Sequence, residues 1–220
     1  MNKKLLIETK IKELGINKVV ENYEDQILLI IKKYINLEKT IHNKRSYGDK
    51  RAKHILKGIK YRCYSNKGLI KDKTYIQVEL CEEWKNAQSF ISWYNDNFKT
   101  YMSDWHLDKD ILVKGNKIYS PETCCFVPQE LNSLFVKNNK IRGKYPIGVH
   151  YLKNQNRYKT SMKIDGKTKY LGTFDTSEEA FQAYKTAKEA YIKEKANYWR
   201  PLIGEKVYQA MHSWVVEITD

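Results

Sequence analysis

IGVHYL (147–152), RYKTSMKI (157–164) and KTKYLGTF (167–174), followed without a break by DTSEEAFQAY (175–184), form the stretch on which the fold turns. The first three segments are rich in β-branched and aromatic residues and read as strands. Asp165–Gly166, between the second and third, is a strong hairpin signal, because a two-residue type I′ turn needs positive φ at both central positions. Thr176 and Glu179 then form a T-x-x-E capping box that starts a helix. Ala180, Ala183/Tyr184, Ala187 and Ala190/Tyr191 mark its apolar face. Strand alternation places Lys159, Ser161 and Lys163 on one face of the second strand.

Upstream, LDKDILVKGNKIYSPETCCFVPQELN (107–132) reads as a second compact unit. A strand near 107–112, a turn at Gly115–Asn116, a return strand at 117–119 and a helix over about 128–135 make a ββα arrangement. CEEWKNAQSFISWYNDNF (81–98) is an amphipathic helix with Trp84, Phe90, Ile91 and Tyr94 on its apolar side, and TYIQVEL (74–80) is β-prone. Trp84, Trp93 and Phe126 read as core. Helical spacing resumes at 52–62 after HNKRSYGDKR (42–51), a basic connector. Residues 3–43 read as two helices, the second carrying the stripe Ile27, Leu28, Ile31, Tyr34 and Ile35. The last segment reads as a short helix around Val207, Met211, Trp214 and Val215. The class is α+β, and five stretches are expected: N-terminal helices and connector (1–51), the ββα domain (52–136), a polar linker KNNKIRG (137–143), the sheet-and-helix domain (144–200) and a C-terminal helical segment (201–220).

Charge narrows the function. The 220 residues carry a formal charge of +14. Residues 1–60 hold a net +8, 61–136 a net −1 and 137–220 a net +7; within 137–170 ten Lys/Arg face Asp165 alone. Two basic ends around a centre that holds a cluster of carboxylates suit a polyanion such as nucleic acid, with a divalent metal acting on it. The plainer alternative is a Lys-rich surface that only solubilises. At 41% hydrophobic residues the chain is too apolar for a disordered basic tail. No apolar run approaches the roughly 18–20 residues of a membrane span, and Leu5–Leu6–Ile7 is too short for a secretory signal. A cytoplasmic protein with no membrane partner is therefore expected. Cys63, Cys81, Cys124 and Cys125 contain no C-x-x-C pair and read as free thiols; a structural Zn²⁺ would draw on Cys63, Cys81 and one of the adjacent pair.

Residues 144–199 resemble the ethylene-response-factor (Apetala-two-like) type of DNA-binding domain, on IGVH, RYKTSMKI and YLGTFDTSEEAFQAY. The resemblance implies a three-stranded antiparallel sheet packed on one helix, with the exposed sheet face in the major groove. Ser161 and Lys163 match contacting positions of that family, while His150 and Tyr170 stand where it has Arg and Trp. Ile147 replaces another Arg, so the family's usual target sequence is not inherited. With the basic side chains of the segment, the expected DNA-binding set is His150, Lys153, Arg157, Lys159, Ser161, Lys163, Lys167 and Tyr170.

Residues 54–136 resemble phage HNH-type endonucleases, in the subgroup that couples this nuclease to the domain just described, on RCYS (62–65), CEEW (81–84) and the 107–132 stretch. Free-standing members are typically homing endonucleases. By position, the resemblance implies Asp108 as first ligand of one divalent metal, Mg²⁺ or Mn²⁺, and Asn132 as the ligand on the helix. Lys109 occupies the place where the family has a water-activating His. A lysine there acts either as a base whose pKa is strongly depressed, or as a phosphate clamp. His106, two residues before Asp108 and on the same face of a strand, is the other candidate base. Asp110 is a possible second carboxylate whose family counterpart more often supports the fold. The expected function is a site-specific DNA endonuclease of homing type acting on double-stranded DNA. The rivals are a catalytically inactive sequence-specific DNA-binding protein and an RNA-binding or protein-interaction factor.

Overall fold

The computed structural model describes residues 44–71, 73–135 and 144–220. The two helices expected within 3–43 and the 137–143 linker lie outside the described residues. The protein has a mixed α+β fold with small, mostly antiparallel sheets, and divides into two compact units: residues up to 133 with 201–207, and residues 134–200 with 208–220.

In the first unit, helix α1 (Lys44–Tyr64) buries Ala52, Leu56, Ile59 and Cys63, a three-and-four spacing along one face. It begins at Lys44, inside the stretch expected to be a connector. Gly48 costs roughly 1 kcal/mol within a helix, but a Cβ there would lie 3.0 Å from Asn95 Oδ1, and Asn95 Nδ2 donates to Asp49 Oδ1 at 3.0 Å. Close packing on the neighbouring helix overrides the local preference. After α2 (Asn66–Lys71), only Glu79–Leu80 of the β-prone segment forms a strand, β1; Lys73–Tyr75 forms a 3-10 turn and Gln77, at φ 67°, sits in the turn that follows. The helix expected over 81–98 is two helices, α3 (Glu82–Lys85) and α4 (Ala87–Asn97). Asn86 separates them, its Oδ1 accepting from Gln88 N at 2.9 Å, because an Asn side chain competes for backbone donors and prefers a cap.

Strand β2 (Trp105–Asp108) leads into a loop, β3 (Ile118–Tyr119), β4 (Cys125–Pro128) and α5 (Gln129–Phe135). A ββα order exists, but its return strand is β4, not 117–119. Trp105 pairs with Pro128, His106 with Val127, Leu107 with Phe126 and Asp108 with Cys125, while β3 runs parallel to β1. Gly115, at φ 74°, does turn the chain. Asn116 then bonds within its own loop, Nδ2 donating to Lys109 O and Ile118 O, so the segment folds on itself and leaves β2 free for β4. Trp84, Phe90, Trp93, Tyr94, Phe98 and Phe126 form one aromatic core, ring centroids 4.7 to 6.0 Å apart.

In the second unit, β5 (Val149–Leu152), β6 (Arg157–Ile164) and β7 (Lys167–Phe174) form an antiparallel sheet in that order. Asp165 and Gly166 have φ of 47° and 80°, as the two-residue turn requires. Helix α6 (Ser177–Trp199) starts at the reciprocal cap: Glu179 N donates to Thr176 Oγ1 and Thr176 N to Glu179 Oε2, each at 3.2 Å. It buries Ala180, Phe181, Tyr184, Tyr191, Ile192, Ala196 and Trp199. Gly148, at φ 76°, lets the Tyr184 ring lie on the backbone just before β5; a Cβ would come within 2.1 Å of that ring. Helix α7 (Glu205–His212) precedes a C-terminal strap on α6. Lys185 Nζ donates to Val216 O at 2.7 Å, Val216 N donates to Glu189 Oε1 at 2.8 Å, and Tyr208 donates to Asn197 Oδ1 at 3.0 Å. Met211 and Val216 are buried. Residues 208–220, expected as part of a separate C-terminal helical segment, group with the second unit.

Candidate nucleic-acid interface and metal site

Helix α6 packs on one face of the β5–β7 sheet; among the described residues, His150, Lys163, Thr168 and Tyr170 on the other face are exposed. Register decides what that open face presents. His150 pairs with Lys159, Lys159 with Thr173, Ser161 with Tyr170, and Lys163 with Thr168. Between Thr160, which pairs with Gly172, and Ser161, which pairs with Tyr170, the register shifts by one residue, leaving Leu171 over. This bulge matters because without it Tyr170 would fall on the opposite pleat from Thr173. With it, Tyr170 Oη lies 2.8 Å from Thr173 Oγ1, Lys159 Nζ sits 5.7 Å from the centre of the Tyr170 ring, and Tyr170 stays 58% exposed.

His150, Lys159, Ser161, Lys163 and Tyr170 therefore share one face. Thr168 and Thr173 join them and were missed in the sequence. Thr168 was accessible from the hairpin register; Thr173 was not, because only the bulge brings it there. Arg157 has the same pleat, but its Nε donates to Asp175 Oδ1 at 2.7 Å. Lys167 pairs with Ile164 and so belongs to the opposite pleat, at the hairpin tip, and Lys153 is exposed in the turn after β5.

The hairpin tip is tied to α6. Lys195 Nζ donates to Asp165 Oδ1 at 2.7 Å, and Tyr191 Oη bonds the same oxygen at 2.9 Å. The Lys195 and Tyr191 hydrogen bonds hold the Asp165 carboxyl below its ordinary range. A carboxylate depressed in the folded state contributes stability above its unfolded pKa and loses it as pH falls through the folded one. Acid titration of unit stability should accordingly be shallower in Asp165→Asn than in the wild type, measured as urea midpoints between pH 5 and pH 2. The effect is small, because Asp165 is exposed to solvent.

In the first unit, Asp108 closes β2 half-buried. Its Oδ1 accepts from Asp110 N and Ile111 N, both at 2.7 Å, which fixes the carboxylate on the turn that follows. Burial pushes its carboxyl up, and the two N–H bonds oppose that shift. His106 shares its pleat and is exposed. Asn132 sits half-buried on α5, four residues beyond the end of β4.

Lys109, expected as a depressed base or a phosphate clamp, is held inside its own loop. It is 8% exposed, and its Nζ donates to Asp110 Oδ1 (2.7 Å), Asp110 Oδ2 (2.8 Å) and Asn116 O (2.8 Å). An ammonium has three donors and no acceptor. Three acceptor atoms surround Nζ, and these bonds join Asp110 and Asn116 across the 109–116 loop.

Burial raises all four thiols, Cys124 to about 12. Among the described residues no three His, Cys, Asp or Glu side chains come together as a metal-binding group. No described helix is long and apolar enough to cross a membrane. No family model, no curated protein and no solved structure matches the chain.

Proposed function

We propose that the chain is a site-specific DNA endonuclease of homing type, in which the open β5–β7 face reads the major groove of duplex DNA and the β2–β4–α5 unit hydrolyses a phosphodiester. The observation that carries the reading is the open sheet face, where two lysines, an imidazole, a phenol and three hydroxyls share one pleat. These groups hydrogen-bond base edges and phosphates, and a strand pair fits the major groove.

For the cleavage unit, a divalent ion such as Mg²⁺ or Mn²⁺ is the implied cofactor. Asp108 and Asn132 offer hard oxygen donors, which fits it, and Asp108 Oδ1 is already oriented by two amides. When bound, the ion supplies Lewis-acid stabilisation of charge on the phosphate and the leaving oxygen. The chain's own residues do the rest. His106, on the pleat of Asp108, accepts the proton of the attacking water. Water oxygen bonds to phosphorus as the P–O3′ bond breaks, leaving a 5′-phosphate, and the departing O3′ takes a proton from solvent to give a 3′-hydroxyl. Lys109 and Asp110 keep the loop shaped. His106→Gln should therefore lower the cleavage rate about 10²–10⁴-fold, read in single-turnover assays, whereas Lys109→His should lower the melting temperature and bring no gain in rate.

A second reading, a catalytically inactive sequence-specific DNA-binding protein, is favoured by the saturated Lys109 amine in the general-base position. Incubating purified protein with phage genomic DNA separates the two. EDTA-sensitive cleavage with Mg²⁺ or Mn²⁺ supports the endonuclease; site-specific binding with no cleavage in either metal leaves the binding protein. On the interface itself, Lys163→Ala or Tyr170→Ala should weaken binding to the selected site by about 1–3 kcal/mol and to random duplex by less. Equal losses on both would reduce the face to backbone contact.

A further inference from the structure

The exposed side of α1 forms a cationic stripe. The helix holds eight Lys/Arg and one acidic residue, Asp49. At about 100° per residue, the buried positions Ala52, Leu56, Ile59 and Cys63 fall on one side, and Lys50, Lys53, His54 and Lys57 fall together on the other, all exposed. Three of the remaining cations are used within the fold. Arg51 donates to the Ser103 and Trp105 carbonyls and lies over the Phe98 ring. Arg62 packs over the Tyr75 and Tyr119 rings. Lys60 donates to Lys85 O. Asp49, the one carboxylate on the helix, is bonded by Asn95. Acidic residues from neighbouring elements, Glu79 and Glu82, lie by the C-terminal end of the helix around Tyr64 and Lys85, away from Lys50–Lys57. Among the described residues no carboxylate pairs with Lys50, Lys53 or Lys57.

We infer that this face of α1 is a second DNA-binding surface, one that tracks the phosphate backbone of duplex DNA and reads no sequence. The inference rests on the reading that the chain acts on DNA. Two observations on the helix favour that partner. Lys50, Lys53 and Lys57 recur about one helical turn apart, roughly 5.4 Å, which suits successive phosphates of a strand better than a point anion. Arg51 also ties the same helix, through the Trp105 carbonyl, to the start of the strand that ends in Asp108. The unit expected to cut DNA thus carries its own means of holding it, separate from the sheet face that selects the site. Exposed lysines gain little from the fold and much from counterion release on a polyanion.

The test is the salt dependence of binding by the full chain to a random-sequence duplex. Lys50/Lys53/Lys57→Gln removes three charges at exposed positions without loss of helix propensity. At about 0.9 in slope per phosphate contact, the slope of log K against log salt should flatten by about 2.7. That corresponds to removing about 40-fold of the affinity change between 50 and 200 mM salt. The triple Arg variant, which keeps the charge, should retain the wild-type slope. A Gln variant with the wild-type slope, on a wild type that binds duplex steeply, overturns the α1 surface and leaves the sheet reading intact. A wild type without salt-dependent duplex binding overturns both. A loss seen only on single-stranded RNA, with the duplex slope unchanged, overturns the inference in favour of an RNA surface.

Discussion

Asp108→Ala should abolish cleavage, lowering the rate by several orders of magnitude, while duplex binding survives. The carboxylate is the one anionic oxygen donor placed on β2 beside His106, and on the proposed reading the electrostatic affinity for DNA would come from the basic faces elsewhere. The alanine variant carries a structural cost as well. Its loss leaves Asp110 N and Ile111 N without their acceptor, worth about 1–3 kcal/mol. Asp108→Asn separates the two effects. Its side-chain oxygen still accepts both amide bonds, so the melting temperature should stay near that of the wild type while cleavage falls as in the alanine variant. The isosteric change also relieves the burial that raises the carboxyl, so any stability change should favour the variant at neutral pH. An Asp108→Asn enzyme that cuts at the wild-type rate would remove Asp108 from the chemistry.

The second large effect concerns the strap. A fragment ending at Arg200 should be far less stable than one continuing to Asp220, because Met211 and Val216 are buried and three side-chain hydrogen bonds tie the strap to α6. Met211→Ala alone should cost about 2–5 kcal/mol, which for a unit of this size lowers the melting temperature by roughly 8–40 °C. Urea denaturation of 134–220, the same fragment with Met211→Ala, and 134–200 would rank them in that order of stability. Equal midpoints for the long and short fragments would make the strap dispensable, returning the domain end to residue 200. Site-specific DNA binding should fall in parallel, since the open sheet face depends on α6 behind it.

In the candidate site, the strand spacing of His106 and Asp108 was legible, because an i, i+2 relation survives whichever partner the strand takes. The fate of Lys109 was not. Its neighbour Asp110 is adjacent in sequence, but the third acceptor, Asn116 O, arrives only when the loop closes. The same holds on the sheet face. Lys159, Ser161 and Lys163 follow from alternation within one strand, whereas Tyr170 and Thr173 share that face only through the bulge at Leu171.

By itself the sequence determined what short-range chemistry controls. The Asp165–Gly166 turn, the Thr176–Glu179 cap and the extents of β6 and β7 each depend on residues within a few positions of one another, and they stand where the local signals put them, whereas β5 starts two residues late, at Val149, because Gly148 turns the chain before it. Only the tertiary structure decided that β2 pairs with Cys125–Pro128 and not with 118–119, that α1 begins at Lys44 despite Gly48, and that residues 208–220 strap α6. Those outcomes are competitions between partners distant along the chain. They are settled by which contacts bury most apolar surface while leaving few polar groups unpaired, and no local window contains both competitors.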